Sequence, residues 1–156
     1  MQTCDKSLSL RLFPDRVLRR MCTPVERFDS ELRDMLNEML ILMRIHKGIG
    51  LAAPQVGITK RLFVCELEGQ SLCLINPEIE SMSGKTEMVE GCLSLPDVDV
   101  NVQRSEHVHV RGYDAEGHST RFGMTGLWAR VLQHEYDHLN GVLICDHDQK
   151  GSVDEA

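Results

Sequence analysis

His134-Glu135-Tyr136-Asp137-His138 narrows the fold of this chain more than any other segment. Two imidazoles four positions apart meet on one side only if the segment is helical, where they can grip one divalent cation with a carboxylate between them. A period of 3.6 aligns Leu127, Val131, His134 and His138 on one stripe, which must face inward for the cation to sit inside the fold. Thr125 suits the N-cap and Asn140-Gly141 a left-handed stop, so a helix is expected from a Thr125 cap to Gly141. Leu127 and Val131 then flank the cation as apolar neighbours that can shape a pocket for an aliphatic side chain.

A catalytic metal site usually has three protein ligands and one open position. A third ligand in the pattern His-x-x-Gly-x-x-His fails here, because Gly141 fits but the final position is Ile144. A downstream glutamate on a following helix fails as well, since Glu155 in the polar tail is the only Glu after the motif. A zincin-like metallopeptidase, the alternative enzyme, therefore lacks its third ligand. A purely structural site would be closed by a fourth protein ligand, and three convincing ones are present. Upstream, Glu90-Gly91-Cys92-Leu93-Ser94 offers a thiolate in a glycine-containing turn where backbone amides can point toward a bound group, and Cys92 is assigned as the third ligand. Gly48-Ile49-Gly50-Leu51-Ala52-Ala53-Pro54-Gln55 is small and apolar up to its terminal amide, suited to close backbone approach and one placed donor.

At 156 residues and 42% hydrophobic content the chain is expected to form one domain, residues 1–156, with a polar tail over 147–156. A formal charge of −7 disfavours nucleic acid and anionic membrane surfaces as partners. No apolar run is long enough to span a bilayer, and Met1-Gln2-Thr3-Cys4-Asp5-Lys6 begins neither a signal nor a transit peptide, so a cytoplasmic location is expected. The cysteines contain no Cys-x-x-Cys and most are read as reduced, buried thiols.

Leu32, Met35, Leu36, Met39, Leu40 and Met43 mark an N-terminal amphipathic helix, with Ser30 as N-cap and His46-Lys47 before Gly48. Residues 61–67, 71–76, 86–89, 98–103 and 106–112 read as short strands of a mostly antiparallel sheet, and 142–145 as one more. Within 106–111 the alternation sets Val108 and Val110 on one face and His107, His109 and Arg111 on the other, toward solvent. The fold class is α+β: mostly antiparallel sheets around a central helix bearing the His-Glu-x-x-His motif, plus the N-terminal helix and no long C-terminal helix.

Gly-Ile-Gly-Leu-Ala-Ala-Pro-Gln (48–55), Glu-Gly-Cys-Leu-Ser (90–94) and His-Glu-Tyr-Asp-His-Leu (134–139), in this order, resemble the three signature segments of the peptide deformylase family. Phe13-Pro14-Asp15 with Leu18-Arg19, Leu74-Ile75-Asn76-Pro77, Gln103-Arg104 and Ala129-Arg130-Val131-Leu132-Gln133 are also similar, so the likeness covers most of residues 10–146. The resemblance implies hydrolysis of the N-formyl group from the first methionine of a new polypeptide, releasing formate. By the same resemblance Cys92, His134 and His138 hold the metal, and Glu135 takes the water proton and returns it to the leaving nitrogen. Gln55 and the backbone N–H of Leu93 face the formyl oxygen. Ile49, Met88, Leu127, Val131 and the edge of His134 line the methionine pocket, and Gly50 lets the substrate backbone lie alongside. Glu90 and Arg104 form a supporting ion pair.

The family characteristically works with Fe²⁺, and Zn²⁺, Ni²⁺ or Co²⁺ can substitute. Expected partners are formyl-Met nascent peptides, with any ribosome contact transient and made without a C-terminal helix. Many bacterial relatives carry an arginine just past Glu-Gly-Cys-Leu-Ser, where this chain has Pro96-Asp97-Val98-Asp99-Val100. Bacterial members also commonly continue into a long C-terminal helix, whereas residues 147–156 here are polar and too short to form one.

Overall fold

The computed structural model describes residues 8–148. Two helices, α1 (Ser30–Ile45) and α2 (Gly126–Leu139), accompany seven strands: β1 (Gly50–Ala52), β2 (Leu62–Leu67), β3 (Gln70–Ser83), β4 (Thr86–Cys92), β5 (Leu95–Arg104), β6 (His107–Tyr113) and β7 (Ser119–Thr125). Five strands pair antiparallel in the order β1-β2-β3-β6-β7, and β4 pairs with β5 alone. The class is α+β with antiparallel sheets, as expected.

Strand parity decides which helix each sheet residue serves, because successive side chains point to opposite faces. Leu62 and Val64 of β2 join Leu36, Met39 and Met43 of α1 in one core cluster. Their neighbours Phe63, Cys65 and Leu67 join Ala129, Leu132 and Leu139 of α2 in another. β1 obeys the same rule, with Leu51 in the α1 cluster and Ala52 in the α2 cluster. The large sheet therefore lies between the two helices, and α2 covers the face to which Gly50 belongs by parity. A third cluster joins Leu95, Val100 and Val102 of β5 to Leu18, Leu143 and Ile144, fastening the β4–β5 hairpin to the rest.

The C-terminal end of α2 is fixed from outside the helix. Arg61 donates to the carbonyl of Leu139 and to Asn140 Oδ1, each at 3.1 Å, which places a cation where the helix dipole is negative. Asn140 is the C-cap and Gly141 follows at φ 75°, the left-handed turn that glycine takes without strain.

Several expectations change. Asp29, not Ser30, caps α1: its carboxylate accepts the Leu32 N–H at 3.1 Å, and Ser30 is the first helical residue. Residues 142–145 form no strand, because Leu143 and Ile144 are buried consecutively rather than alternately and Ile144–His147 closes a 3-10 turn. That turn is held by Asp146, which accepts the Leu143 N–H at 3.0 Å and pairs with Arg19 at 2.6 Å. Leu127 sits in the first turn of α2 and is 45% exposed, outside the buried part of its stripe. β1 and β7 went unread, and β3 runs on past Pro77 because Asn76, at φ 52°, bulges the strand while its side chain bonds both the N–H and the carbonyl of Val25. Cys22 and Cys65 are buried free thiols, but Cys73, Cys92 and Cys145 are only half-buried. Met1–Lys6 with Cys4, and the tail beyond Asp148, lie outside the described residues. No helix among the described residues is long and apolar enough to cross a membrane.

Replacing the cap should separate the two candidates. Asp29→Ala is expected to cost about 1 kcal/mol in urea unfolding, and Ser30→Ala only a few tenths. Equal effects would restore Ser30 as the cap.

Candidate active site

The phase of α2 and the end of β4 bring three ligand-type atoms together. The rings of His134 and His138, one helical turn apart, have centroids 5.1 Å from each other. Cys92 Sγ lies 3.4 Å from His138 Nε2, and one donor atom from each of Cys92, His134 and His138 falls within 4.8 Å of the other two. A tetrahedral site with bonds of about 2.0–2.3 Å has donor separations of roughly 3.5 Å, so these residues fit a metal ion.

Behind His134 stands Glu90. Its carboxylate accepts His134 Nδ1–H at 3.0 Å, which leaves Nε2 of that ring for the site. Arg104 grips the same carboxylate through Nε at 3.0 Å and Nη2 at 2.9 Å, and Arg130 of α2 adds a bond to Oε2. Arg104 reaches on to Asp137 at 2.7 Å, where His147 also binds at 3.0 Å. The Glu90–Arg104 pair is thus one edge of a larger buried network. Burial works to raise the Glu90 pKa, but hydrogen bonds from His134 and Arg104 overcome it and hold the carboxyl well below its usual range. Arg130 and Asp137 were missed in the sequence. Their signal was the spacing of 130, 134 and 137, which puts three polar groups on one side of the helix that bears the imidazoles.

Burial also pulls the His134 pKa down, and here its bonds to Cys92 and Glu90 win, pushing it up to about 10. The anionic surroundings that favour a proton on this ring equally favour a cation among the three donors. His138 is held well below the usual imidazole value, by burial first and then by the charges of His134 and Arg104. It stays neutral, the form that ligates.

Glu135 is 3% exposed, and burial raises its carboxyl to about 7. Its Oε1 is buried with no hydrogen-bond partner among the described residues. Gln55 belongs to a 3-10 turn, Ala53–Val56, that follows β1. The Ala52 N–H pins Gln55 Oε1 at 2.9 Å, which turns Nε2 toward Ser94 Oγ at 3.1 Å and Cys92 Sγ at 3.6 Å. Ser94, buried and orienting this amide, also went unassigned in the sequence.

These groups open into a cavity of about 500 Å³ lined by Ile49, Gly50, Met88, Leu93, Leu127 and Val131 together with Gln55, Cys92, His134 and Glu135. Val131 is 5% exposed and forms the inner wall, whereas Ile49, Met88 and Leu127 are roughly half-exposed at the mouth. A metal-binding triad, a buried carboxylate titrating near neutrality and an apolar recess thus share one cleft, an arrangement suited to metal-assisted hydrolysis.

Residues 8–153 match the family model described as Polypeptide deformylase. The peptide deformylase of Thermotoga neapolitana is 46% identical over 138 residues, covering 88% of this chain and 84% of that protein. The crystal structure of peptide deformylase from Thermotoga maritima superposes with a TM-score of 0.89 at 40% identity, covering 91% of this chain and 97% of the other. That of the Synechococcus elongatus enzyme, in complex with actinonin, gives 0.90 at 48% identity, covering 96% and 83%. The chain belongs to the peptide deformylase family, and it is an enzyme that removes the N-formyl group from nascent polypeptides.

A metal ion must displace the proton that His134 holds up to about 10, so binding near neutrality should release protons and tighten as pH rises. Calorimetric titration of metal-free protein with Zn²⁺ at pH 7.5, in buffers of different ionisation enthalpy, is expected to report at least one proton released per ion. Binding without proton release would remove His134 from the ligand set.

Proposed function

We propose that this member of the peptide deformylase family is a single-domain enzyme, residues 1–156, acting in the cytoplasm on the formyl-methionine of nascent peptides. Cys92, His134 and His138 would hold its divalent ion. The observation that carries this reading is Oε1 of Glu135, buried with no hydrogen-bond partner among the described residues, in a cleft it shares with those three donor atoms. When bound, the ion acidifies a water molecule and withdraws electrons from the formyl carbonyl.

The remaining work falls to the chain's own side chains. Glu135, poised at about 7, accepts the proton of the attacking water and passes it to the leaving nitrogen as the formyl C–N bond breaks, yielding formate and a free amine. Charge grows on the formyl oxygen as its carbon becomes tetrahedral, and the Gln55 amide and the Leu93 backbone N–H are its donors. Gln55 is prepared for this because the Ala52 N–H has already fixed which end of its amide faces the cleft. Val131 meets the methionine side chain at depth, Ile49, Met88 and Leu127 meet it at the mouth, and the peptide backbone passes Gly50. Glu90 and Arg104 support the site by fixing the His134 ring.

Fe²⁺ is the proposed ion on the strength of the family. A sulfur and two imidazoles would by affinity order accept Co²⁺, Ni²⁺ or Zn²⁺ more tightly, so supply decides occupancy. Contact with the ribosome is proposed to be transient, and the charge of −7 disfavours nucleic acid or anionic membrane as partners.

Formate release from formyl-Met-Ala by anaerobically prepared, metal-quantified protein tests the reading directly. Glu135→Ala is expected to lower kcat by on the order of 10²–10⁴ with metal retained. Gln55→Ala is expected to lower it by about 10²–10³. Wild-type turnover in Glu135→Ala would remove the general base, and cleavage of an unformylated internal peptide bond would replace the assignment with a peptidase.

A further inference from the structure

Gly50 holds a place in β1 that its backbone does not demand. It is not among the glycines at positive φ, so conformational freedom does not explain it. The reason is space. A Cβ built on Gly50 would overlap Glu135 Oε2 and lie 2.9 Å from Glu135 Cδ and 3.1 Å from Cγ. The three nearest atoms all belong to one side chain, and at 3% exposure that side chain has little solvent to swing into.

The residue beside this gap is Cys65, directly opposite Gly50 in the β1–β2 register. Cys65 packs in the core cluster that α2 covers. Its thiol is held up by burial first and then by the charge of Glu135. A residue without a side chain and a small one thus stand side by side beneath the segment of α2 that carries Glu135. A notch in the sheet results, its depth set by two adjacent strands rather than by a loop.

We propose that Gly50 and Cys65 form a seat that fixes the Glu135 carboxylate in its proton-transfer position. Both are positioning residues that act through Glu135, and the small size of Gly50 serves the base as well as any passing substrate backbone. The proposal rests on the reading of Glu135 as the general base.

A double-mutant cycle on kcat separates the two claims, with metal content quantified in every variant. Gly50→Ala is expected to lower kcat by about 100-fold, with KM changed less than about threefold, because the displaced group acts in the transition state. In the Gly50→Ala background, Glu135→Ala should cost at least about tenfold less than it does in the wild type, since the carboxylate is already out of place. Cys65→Leu, which fills the same notch from β2, should couple to Glu135→Ala in the same way and serves if Gly50→Ala does not fold. Factors that simply multiply would overturn the seat while leaving the general base intact. Full turnover in Glu135→Ala alone would instead overturn the general base, and the seat with it.

Discussion

One buried carboxylate joins the parts from which this site is assembled. Glu90 of β4 takes hydrogen bonds from Arg104 of β5 and from Arg130 and His134 of α2. Moving a carboxylate out of water costs several kcal/mol, and a lone partner rarely offsets that. Here charge-assisted bonds come from two guanidinium groups and a histidine, which together compensate the buried charge. The hairpin and the helix consequently have one relative position that satisfies all of these groups. Cys92 lies two residues further along β4, so the position that suits Glu90 also delivers the sulfur to the imidazoles.

The large sheet supplies the complementary constraint from the other side. Its alternation sends Leu51, Leu62 and Val64 to α1 and leaves Ala52, Phe63 and Cys65 for α2. Beside Glu135 that sheet face carries the small pair Gly50 and Cys65, where the helix approaches closely. Arg61 meanwhile holds the far end of α2 through Leu139 and Asn140. Arg61 and Arg104, cationic side chains from elsewhere, thus tie the C-terminal part of α2 through Leu139, Asn140 and Asp137.

What could be read from the sequence was local in origin. The inward stripe of α2, the amphipathic α1 and the strands around 61–67 and 106–112 all follow from spacing within a dozen residues. The thiolate of Cys92 was readable because the turn around it is glycine-bearing and because the motif lacked a downstream ligand. Long-range pairing left no such mark: nothing near Arg130 announces Glu90, forty positions away, and nothing near Gly50 announces Glu135. β7 had a fainter signal in Thr120, Phe122 and Met124, which alternate, but all three are only half-buried and Gly123 is a poor strand former. Residues 142–145 misled because two consecutive apolar residues satisfy a 3-10 turn packed on β5 as well as they suggest a strand.

The half-exposed ring of Ile49, Met88 and Leu127 around the cleft has a consequence for discrimination among peptides. If this cleft takes the methionine side chain as proposed, the apolar surface left wet at its mouth would be dried by a guest long enough to cross the rim and reach Val131. Each methylene so covered is worth about 0.8 kcal/mol, roughly a fourfold preference. On that reading unbranched thioether or alkyl guests would outcompete alanine-sized ones in steps, and the entrance to the cleft would grade its guests by reach.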